Sequence, residues 1–168
     1  MRKLKLISRS GVHDAISKAE VYRYLNEPGE AESICRDILA IEPDNQTSQR
    51  LLGLAITDQF SGGSSDRYAE AESIFQCLNN RYERLYYTGL LHERRAKAQL
   101  RAGNPPHTLM VLFEEAMRCF EAAEEIRPEG NDDSILRWNR CARLLDAYFT
   151  HEGVEEPESL DLSDSAPF

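Results

Sequence analysis

The sequence lacks the signatures of a membrane protein, a signal peptide and a cysteine-based scaffold. No apolar stretch approaches the length of a membrane span, and the apolar run after the basic opening MRKLKLISRS is too short and too interrupted for a signal peptide. The cysteines form no CxxC pair and do not cluster with histidine, so neither a zinc site nor a disulfide framework is indicated. We expect a soluble cytoplasmic protein whose cysteines are reduced core residues: Cys35, Cys77, Cys119 and Cys141.

Positive charge is also scarce. The 168 residues carry 20 Lys and Arg against 29 Asp and Glu, a formal charge of −9, which argues against nucleic-acid and anionic-membrane partners. The imbalance is concentrated in residues 151–168, which hold six acids and no Lys or Arg. Because this segment is too polar to bury a core, we predict a disordered acidic tail after a nearly neutral folded body.

Catalytic constellations are missing as well. HERRA at 92–96 begins like the zinc-protease motif HExxH, but Ala96 stands where the second histidine ligand must be. The segment SGGSSD lacks the lysine of a phosphate-binding loop, and the four histidines lie in separate segments with no Cys or Ser at motif spacing. We therefore predict no enzyme, no metal site and no cofactor.

What the sequence does contain is an internal repeat. EAESI occurs at 30–34 and again at 70–74, and a related EAMRCF begins at residue 115. The aligned alanines are Ala31, Ala71 and Ala116, and the larger residues four positions later are Cys35, Phe75 and Phe120. Since residues i and i+4 share a helix face, small and large side chains alternate along one packing stripe.

Prolines and cap residues divide the chain into helix pairs. Two repeat helices run towards Pro43 and Pro128, and each proline is followed by good N-caps for the next helix, Asn45 and the run 131–133. The small residues expected to let paired helices approach closely are Ala19, Gly53 and, in the third pair, either Gly89 or Ala96. A last helix, about 134–149, has its apolar stripe at Trp138, Cys141, Leu145 and Tyr148.

This pattern resembles the tetratricopeptide repeat, a motif of about 34 residues with Leu-Gly, an aromatic residue, Ala-x3-Phe and Pro at set positions across two antiparallel helices. The matching residues are Ala19, Tyr22, Ala31, Cys35, Ile38 and Pro43 in the first repeat, Leu52, Gly53, Ala71 and Phe75 in the second, and Ala116, Phe120, Ala123 and Pro128 in the third. The resemblance implies an all-α fold: a right-handed α-solenoid of antiparallel helix pairs with about seven helices.

Three degenerate repeats and a capping helix account for most of the chain. We predict a basic N-terminal segment at 1–11, a repeat domain at 12–150 with repeats at about 12–45, 46–80 and 81–130 and a capping helix at 132–150, and the tail at 151–168. The repeats are long, because their alanines stand 40 and 45 residues apart. We place the additions in an exposed flexible loop at 61–66 and in two longer helices of the third repeat, the second capped by Asn104.

By this resemblance, the first helix of each pair lines a concave groove that binds a peptide or protein. The predicted groove residues are Tyr24, Arg50, Leu54, Arg94, Lys97, Arg101, Arg137 and Arg140, and positions on the same faces include Arg23, Asp58 and Glu93. The arginines favour an acidic peptide, because guanidinium groups match carboxylates, or else they form a solvated face balanced by nearby Glu. The family's carboxylate clamp is not expected, since Ile16 and Glu20 stand where it has Lys and Asn.

The expected function is a non-catalytic scaffold or adaptor for a protein or peptide. Two alternatives stay open: a small chaperone for one client, since bacterial secretion chaperones are also short, acidic, three-repeat proteins, and a regulatory or self-assembling subunit, favoured by the exposed aromatic residues expected at Tyr86 and Tyr87. A further hypothesis places the acidic tail in the arginine-rich groove of the same molecule or of a neighbour.

Overall fold

A computed structural model describes residues 2–151, with side chains through residue 148, and its regular structure is helical. A short 3-10 helix, Arg9–Gly11, precedes seven α-helices. These are α1 (Val12–Tyr24), α2 (Pro28–Ile41), α3 (Gln46–Asp58), α4 (Tyr68–Gln76), α5 (Arg81–Arg101), α6 (Pro106–Glu124) and α7 (Asp133–His151). The predicted all-α fold with seven helices is confirmed for these residues, whereas the predicted tail, apart from His151, lies outside them.

One predicted helix cap is confirmed and one is wrong. The Asn45 side chain accepts a hydrogen bond from the Ser48 amide at 2.9 Å and so begins α3. The long helices of the third repeat are present, but Asn104 does not cap α6. Pro106 occupies the first helical position, so the cap falls on Pro105, whose backbone is extended.

The odd-numbered helices form a continuous row. Each helix packs against the next one in the chain, and in addition α1 contacts α3, α3 contacts α5, and α5 contacts α7. Tyr82, in the first turn of α5, donates to Asn131, two residues before α7, and Glu93, near the middle of α5, contacts Arg137 of α7, so these two helices run parallel. We call the surface made by α1, α3, α5 and α7 the odd-helix face.

Two glycines allow the helices of a pair to approach each other closely. A Cβ on Gly53 would lie 2.4 Å from Cε1 of Phe75, and a Cβ on Gly89 would lie 2.7 Å from Cε1 of Phe120. Neither position tolerates a side chain while the ring stays in place, because the pairs touch at van der Waals distance. Gly89, and not Ala96, is therefore the counterpart of Gly53 in the third pair.

Two expectations about core and surface are wrong. Tyr87 stacks on Phe75 with ring centroids 5.3 Å apart, and burial raises the pKa of Tyr87 to about 12. Tyr86 packs against the second apolar cluster of the core, so neither tyrosine is an exposed aromatic. Cys35 and Cys141 are buried as expected, but Cys77 is exposed because α4 ends one residue before it.

The loop at 61–66 is exposed in part but is tied down at both ends. Asp66 accepts hydrogen bonds from the backbone amides of Ser61 and Gly62, each at 2.8 Å. Gly62 has φ +87°, and a Cβ there would lie 2.5 Å from the carbonyl oxygen of Ala98. The loop therefore packs its turn directly onto α5, beside the odd-helix face.

Candidate functional site

Two adjoining pockets open on the odd-helix face. The first, about 240 Å³, lies between α1 and α3, and the second, about 200 Å³, lies between α3 and α5. The first pocket is lined by Glu20, Arg23, Tyr24, Arg50, Leu51 and Leu54. The second pocket is lined by Thr57, Asp58, Arg94, Lys97 and Arg101.

The boundary between the pockets is a hydrogen-bonded bridge across three helices. Asp58 accepts from Arg23 of α1 at 2.7 Å and from Arg94 of α5 at 2.5 Å. Arg94 also donates to the Thr57 hydroxyl at 2.5 Å and to the Leu54 carbonyl oxygen at 3.2 Å. The burial of Arg94 lowers the pKa of its guanidinium, but arginine remains charged at neutral pH. Its main role in this structure is to join α3 to α5.

The second pocket rests on a buried carboxylate. Glu93 of α5 is fully buried, and its Oε1 accepts from Lys97 and lies 3.5 Å from Nη1 of Arg137 on α7. Its other oxygen, Oε2, has no hydrogen-bond partner in the part of the chain that the structure describes. Glu93 thus holds Lys97 in the wall of the pocket and connects α5 to α7.

Positive charge exceeds negative charge around the second pocket. Two carboxylates, Asp58 and Glu93, face five basic side chains. The five are Arg23, Arg94, Lys97, Arg101 and Arg137. Arg101 is exposed and has no ion-pair partner within 4.0 Å among the described residues. A chain of net charge −9 therefore presents a locally cationic pocket, which attracts anionic groups.

The first pocket has a different character. Both of its arginines are paired, Arg50 with Glu83 of α5 and Arg23 with Asp58, each at 2.7 Å, and its apolar lining is made by the buried side chains of Leu51 and Leu54. Tyr24, at the end of α1, stands 90% exposed at its rim. An apolar floor under an exposed aromatic ring suits an apolar side chain of a ligand.

The structure brings most of the predicted groove residues together. Six of the eight line the two pockets, and Arg137 and Arg140 of α7 line neither. Arg137 is half-buried and reaches the second pocket only through Glu93, while Arg140 is exposed. Thr57 escaped the sequence prediction because nothing in a lone threonine on a helix indicates that an arginine 37 residues away will bond to it.

A second polar cluster lies away from the pockets, between α4, α5 and α6. The Tyr68 hydroxyl lies 3.0 Å from Nδ1 of His92, and a Glu115 oxygen lies 3.4 Å from the same nitrogen. Burial lowers the pKa of His92, which keeps the imidazole neutral at pH 7. These residues line neither pocket described above, so we interpret the cluster as a brace between helices.

The described residues offer no metal site and no membrane span. Within residues 2–151, no group of three or more His, Cys, Asp or Glu side chains is placed to hold a metal ion. None of the helices in this range combines the length and the apolar character needed to cross a membrane. The candidate site is the pair of pockets on the odd-helix face, chosen for its lining residues.

The comparisons with known proteins add no relative. No protein-family model, no curated protein and no solved structure matches this chain. The resemblance to tetratricopeptide repeats accordingly rests on the residues named above and stays a prediction.

Proposed function

We propose that the chain is a non-catalytic binding module of the tetratricopeptide-repeat type, whose odd-helix face holds an acidic segment of a protein partner. The observation that carries the proposal is the charge of the second pocket, whose lining holds three basic side chains, Arg94, Lys97 and Arg101, and one carboxylate, Asp58. A ligand carboxylate entering this pocket would meet charged donors that no protein carboxylate neutralises, above all Arg101.

The row of odd helices supports the architectural part of the proposal. The contacts between α1 and α3, between α3 and α5 and between α5 and α7 are those expected of helix pairs stacked as a solenoid. In a solenoid of this kind the first helix of each pair lines the inner surface. We also propose a cytoplasmic location. Its support is that the four cysteines are free thiols, as is usual in reducing compartments.

The two pockets together define the ligand that fits best. An acidic side chain in the second pocket and an apolar side chain over Leu51 and Leu54 in the first would let one extended segment engage both. Arg94 is less suited to recognition, since its hydrogen bonds already join α3 to α5. Arg101 and Tyr24 are exposed lining residues suited to an acidic and an apolar ligand group, whereas Glu20 is an exposed acid in the lining of the first pocket.

Binding of fluorescent peptides that differ only in their number of Asp and Glu residues tests this function. We expect affinity to rise with acidity and to fall with salt. Arg101→Glu should weaken binding of the acidic peptides by about tenfold, because the variant removes a charge-assisted hydrogen bond and adds a repulsion between like charges. Tyr24→Ala should weaken binding only of peptides that also carry an apolar residue.

The matched control is Arg118→Glu, because Arg118 is also an exposed arginine and lies on α6, outside both pockets. If the Arg101 and Arg118 variants lose affinity equally, the loss is caused by the change in net charge, and the proposal is contradicted. Affinity that does not depend on peptide acidity would do the same. Partners captured from the source cells can then be mapped for segments of the preferred composition.

A second candidate function, self-assembly, is favoured by a separate observation at the N-terminal end. Leu4 is 81% exposed, Leu6, Val21 and Leu25 are also exposed, and an apolar pocket of about 310 Å³ lies on the free side of α1. Terminal helices of stacked repeats normally carry a polar outer face. If copies associate through this end, light scattering will give a mass above that of a monomer that Val21→Glu returns to monomer. A monomeric native chain would exclude this function.

A further inference from the structure

Because α5 and α7 run parallel, α7 ends on the same side of the molecule as the second pocket. The basic residues of the second pocket lie in the C-terminal half of α5, and α7 runs parallel to α5. From the level of the Glu93–Arg137 contact, Arg101 is eight residues further on and His151 is fourteen. At 1.5 Å per residue, His151 therefore ends within about 10 Å of the level of Arg101, on the neighbouring helix of the same face.

Residues 152–168 are long enough to reach back from the end of α7 to the second pocket. Residues 152–168 can span up to about 55 Å when extended, whereas neighbouring packed helices are separated by roughly 10 Å. The path from the end of α7 to the second pocket is thus a small fraction of the available length. This geometry requires no rearrangement of the helices.

The chemistry of residues 152–168 matches the ligand that the two pockets favour. The segment holds six acids and no Lys or Arg. Its apolar residues Leu160 and Leu162 flank the acid Asp161, so acidic and apolar side chains alternate within three residues. Adjacent acidic and apolar anchors are what the cationic second pocket and the leucine floor of the first pocket would each accept.

We propose that residues 152–168 of the same molecule occupy the two pockets of the odd-helix face and compete there with the partner's acidic segment. The inference rests on the proposed function, because it assigns the regulation of the same site. A tethered segment acts at an effective concentration on the order of 1 mM. If the free segment binds with a Kd of about 0.1 mM, tethering weakens a competing acidic ligand about tenfold.

The test compares the full chain with a full-length variant in which the six tail acids become amides: Glu152→Gln, Glu155→Gln, Glu156→Gln, Glu158→Gln, Asp161→Asn and Asp164→Asn. The probe is a fluorescent synthetic peptide of residues 152–168, titrated into each protein. We expect the amide variant to bind the probe about tenfold more tightly than the native chain, and Arg101→Glu in the amide variant to remove most of this binding. Arg118→Glu in the same variant is the control and should leave the probe affinity unchanged.

A spectroscopic readout complements the titration. Backbone amide resonances of Asp58, Lys97 and Arg101 should differ between the native chain and the amide variant, and the difference should persist on tenfold dilution. A difference that vanishes on dilution would assign the contact to a neighbouring molecule and overturn the proposal for the same molecule.

The outcomes separate this inference from the proposed function. Equal probe binding by the native chain and the amide variant, with the binding abolished by Arg101→Glu, would overturn self-occupancy and leave the acidic-segment site standing. No probe binding by either protein, with unchanged amide resonances, would count against both. Tighter binding by the amide variant that is insensitive to Arg101→Glu would place the tail on another surface and overturn the inference alone.

Discussion

Glu32 on α2 and Asp58 on α3 each accept hydrogen bonds from two arginines. Arg67 donates to both oxygens of Glu32, at 2.6 and 2.5 Å, and Arg36 donates two more hydrogen bonds, at 3.0 and 2.8 Å. A second carboxylate, Glu70, pairs with Arg36 at 2.6 Å, so two acids meet two bases. Around Asp58, by contrast, the nearby bases outnumber the acids.

The difference separates two uses of the same chemical contact. The Glu32 network is closed, since its charges cancel and its donors are used within the protein, so its effect is to hold α2, α4 and the loop before α4 together. The Asp58 network also joins helices, but Lys97 and Arg101 leave an excess of positive charge beside it. A network with equal numbers of acidic and basic groups contributes only to stability, whereas a network with an excess of basic groups can also attract an anionic ligand.

The largest effect is expected at the closed network. Glu32→Gln should lower the free energy of unfolding by about 2 kcal/mol, measured by urea denaturation, because two arginines lose their shared carboxylate. Glu72→Gln is the matched control, since Glu72 holds the same position in the second EAESI segment and makes no ion pair within the described residues. A loss as large in the Glu72 variant would show that the Glu32 contacts carry no special weight.

Acid titration sharpens the same prediction. The hydrogen bond from Arg67 lowers the pKa of Glu32 from its ordinary 4.5 to about 2. A carboxyl whose pKa is lower in the folded state stabilises the fold above its unfolded pKa and loses that contribution as the pH falls towards the folded value. The native advantage over Glu32→Gln should thus be full at about pH 6 and shrink between pH 4.5 and pH 2.

A smaller loss of stability, accompanied by a gain in ligand affinity, is expected at the Asp58 network. Asp58→Asn should cost about 1 kcal/mol of stability, because Arg94 keeps the Thr57 hydroxyl and the Leu54 carbonyl oxygen as acceptors. The same change should tighten binding of an acidic peptide about threefold, since it removes a competing carboxylate from the pocket. Peptide titration at constant salt measures this.

Glu114→Gln is the control for that titration, because Glu114 is an exposed acid on α6, outside both pockets. An equal gain in affinity from Glu114→Gln would attribute the effect to net charge. Weaker binding in Asp58→Asn would instead mean that Asp58 organises the arginines for the ligand, and the contrast between the two networks would then fail.

The repeat pattern made most of the fold predictable. The alternation of small and large residues in the EAESI segments located the buried alanines, and Asn45 was recognised as a cap from its position after Pro43. These signals are local, since a helix face and a helix start are decided within a few residues. They predicted the helices and their pairing without any knowledge of long-range contacts.

The roles of individual groove residues could not be predicted in this way. Arg94 and Arg101 lie on the same helix two turns apart, and their sequence surroundings do not distinguish them. Their difference arises because α3 places Thr57 and Asp58 opposite Arg94, while Arg101 lies beyond the end of α3. Tyr87 was misplaced for the same reason, since only the ring of Phe75 on another helix decides that it is covered.

The contact between Gly53 and Phe75 also constrains how such a sequence can diverge. The ring lies where a side chain at residue 53 would begin, so the two positions can change only together: a methyl group at one demands a smaller residue at the other. In the first repeat the matching positions hold Ala19 and Cys35, both fully buried in the same apolar cluster. We infer that a larger residue at the glycine position and a smaller one at the aromatic position divide a similar volume between two neighbouring helices, so the two positions of a pair are expected to change together.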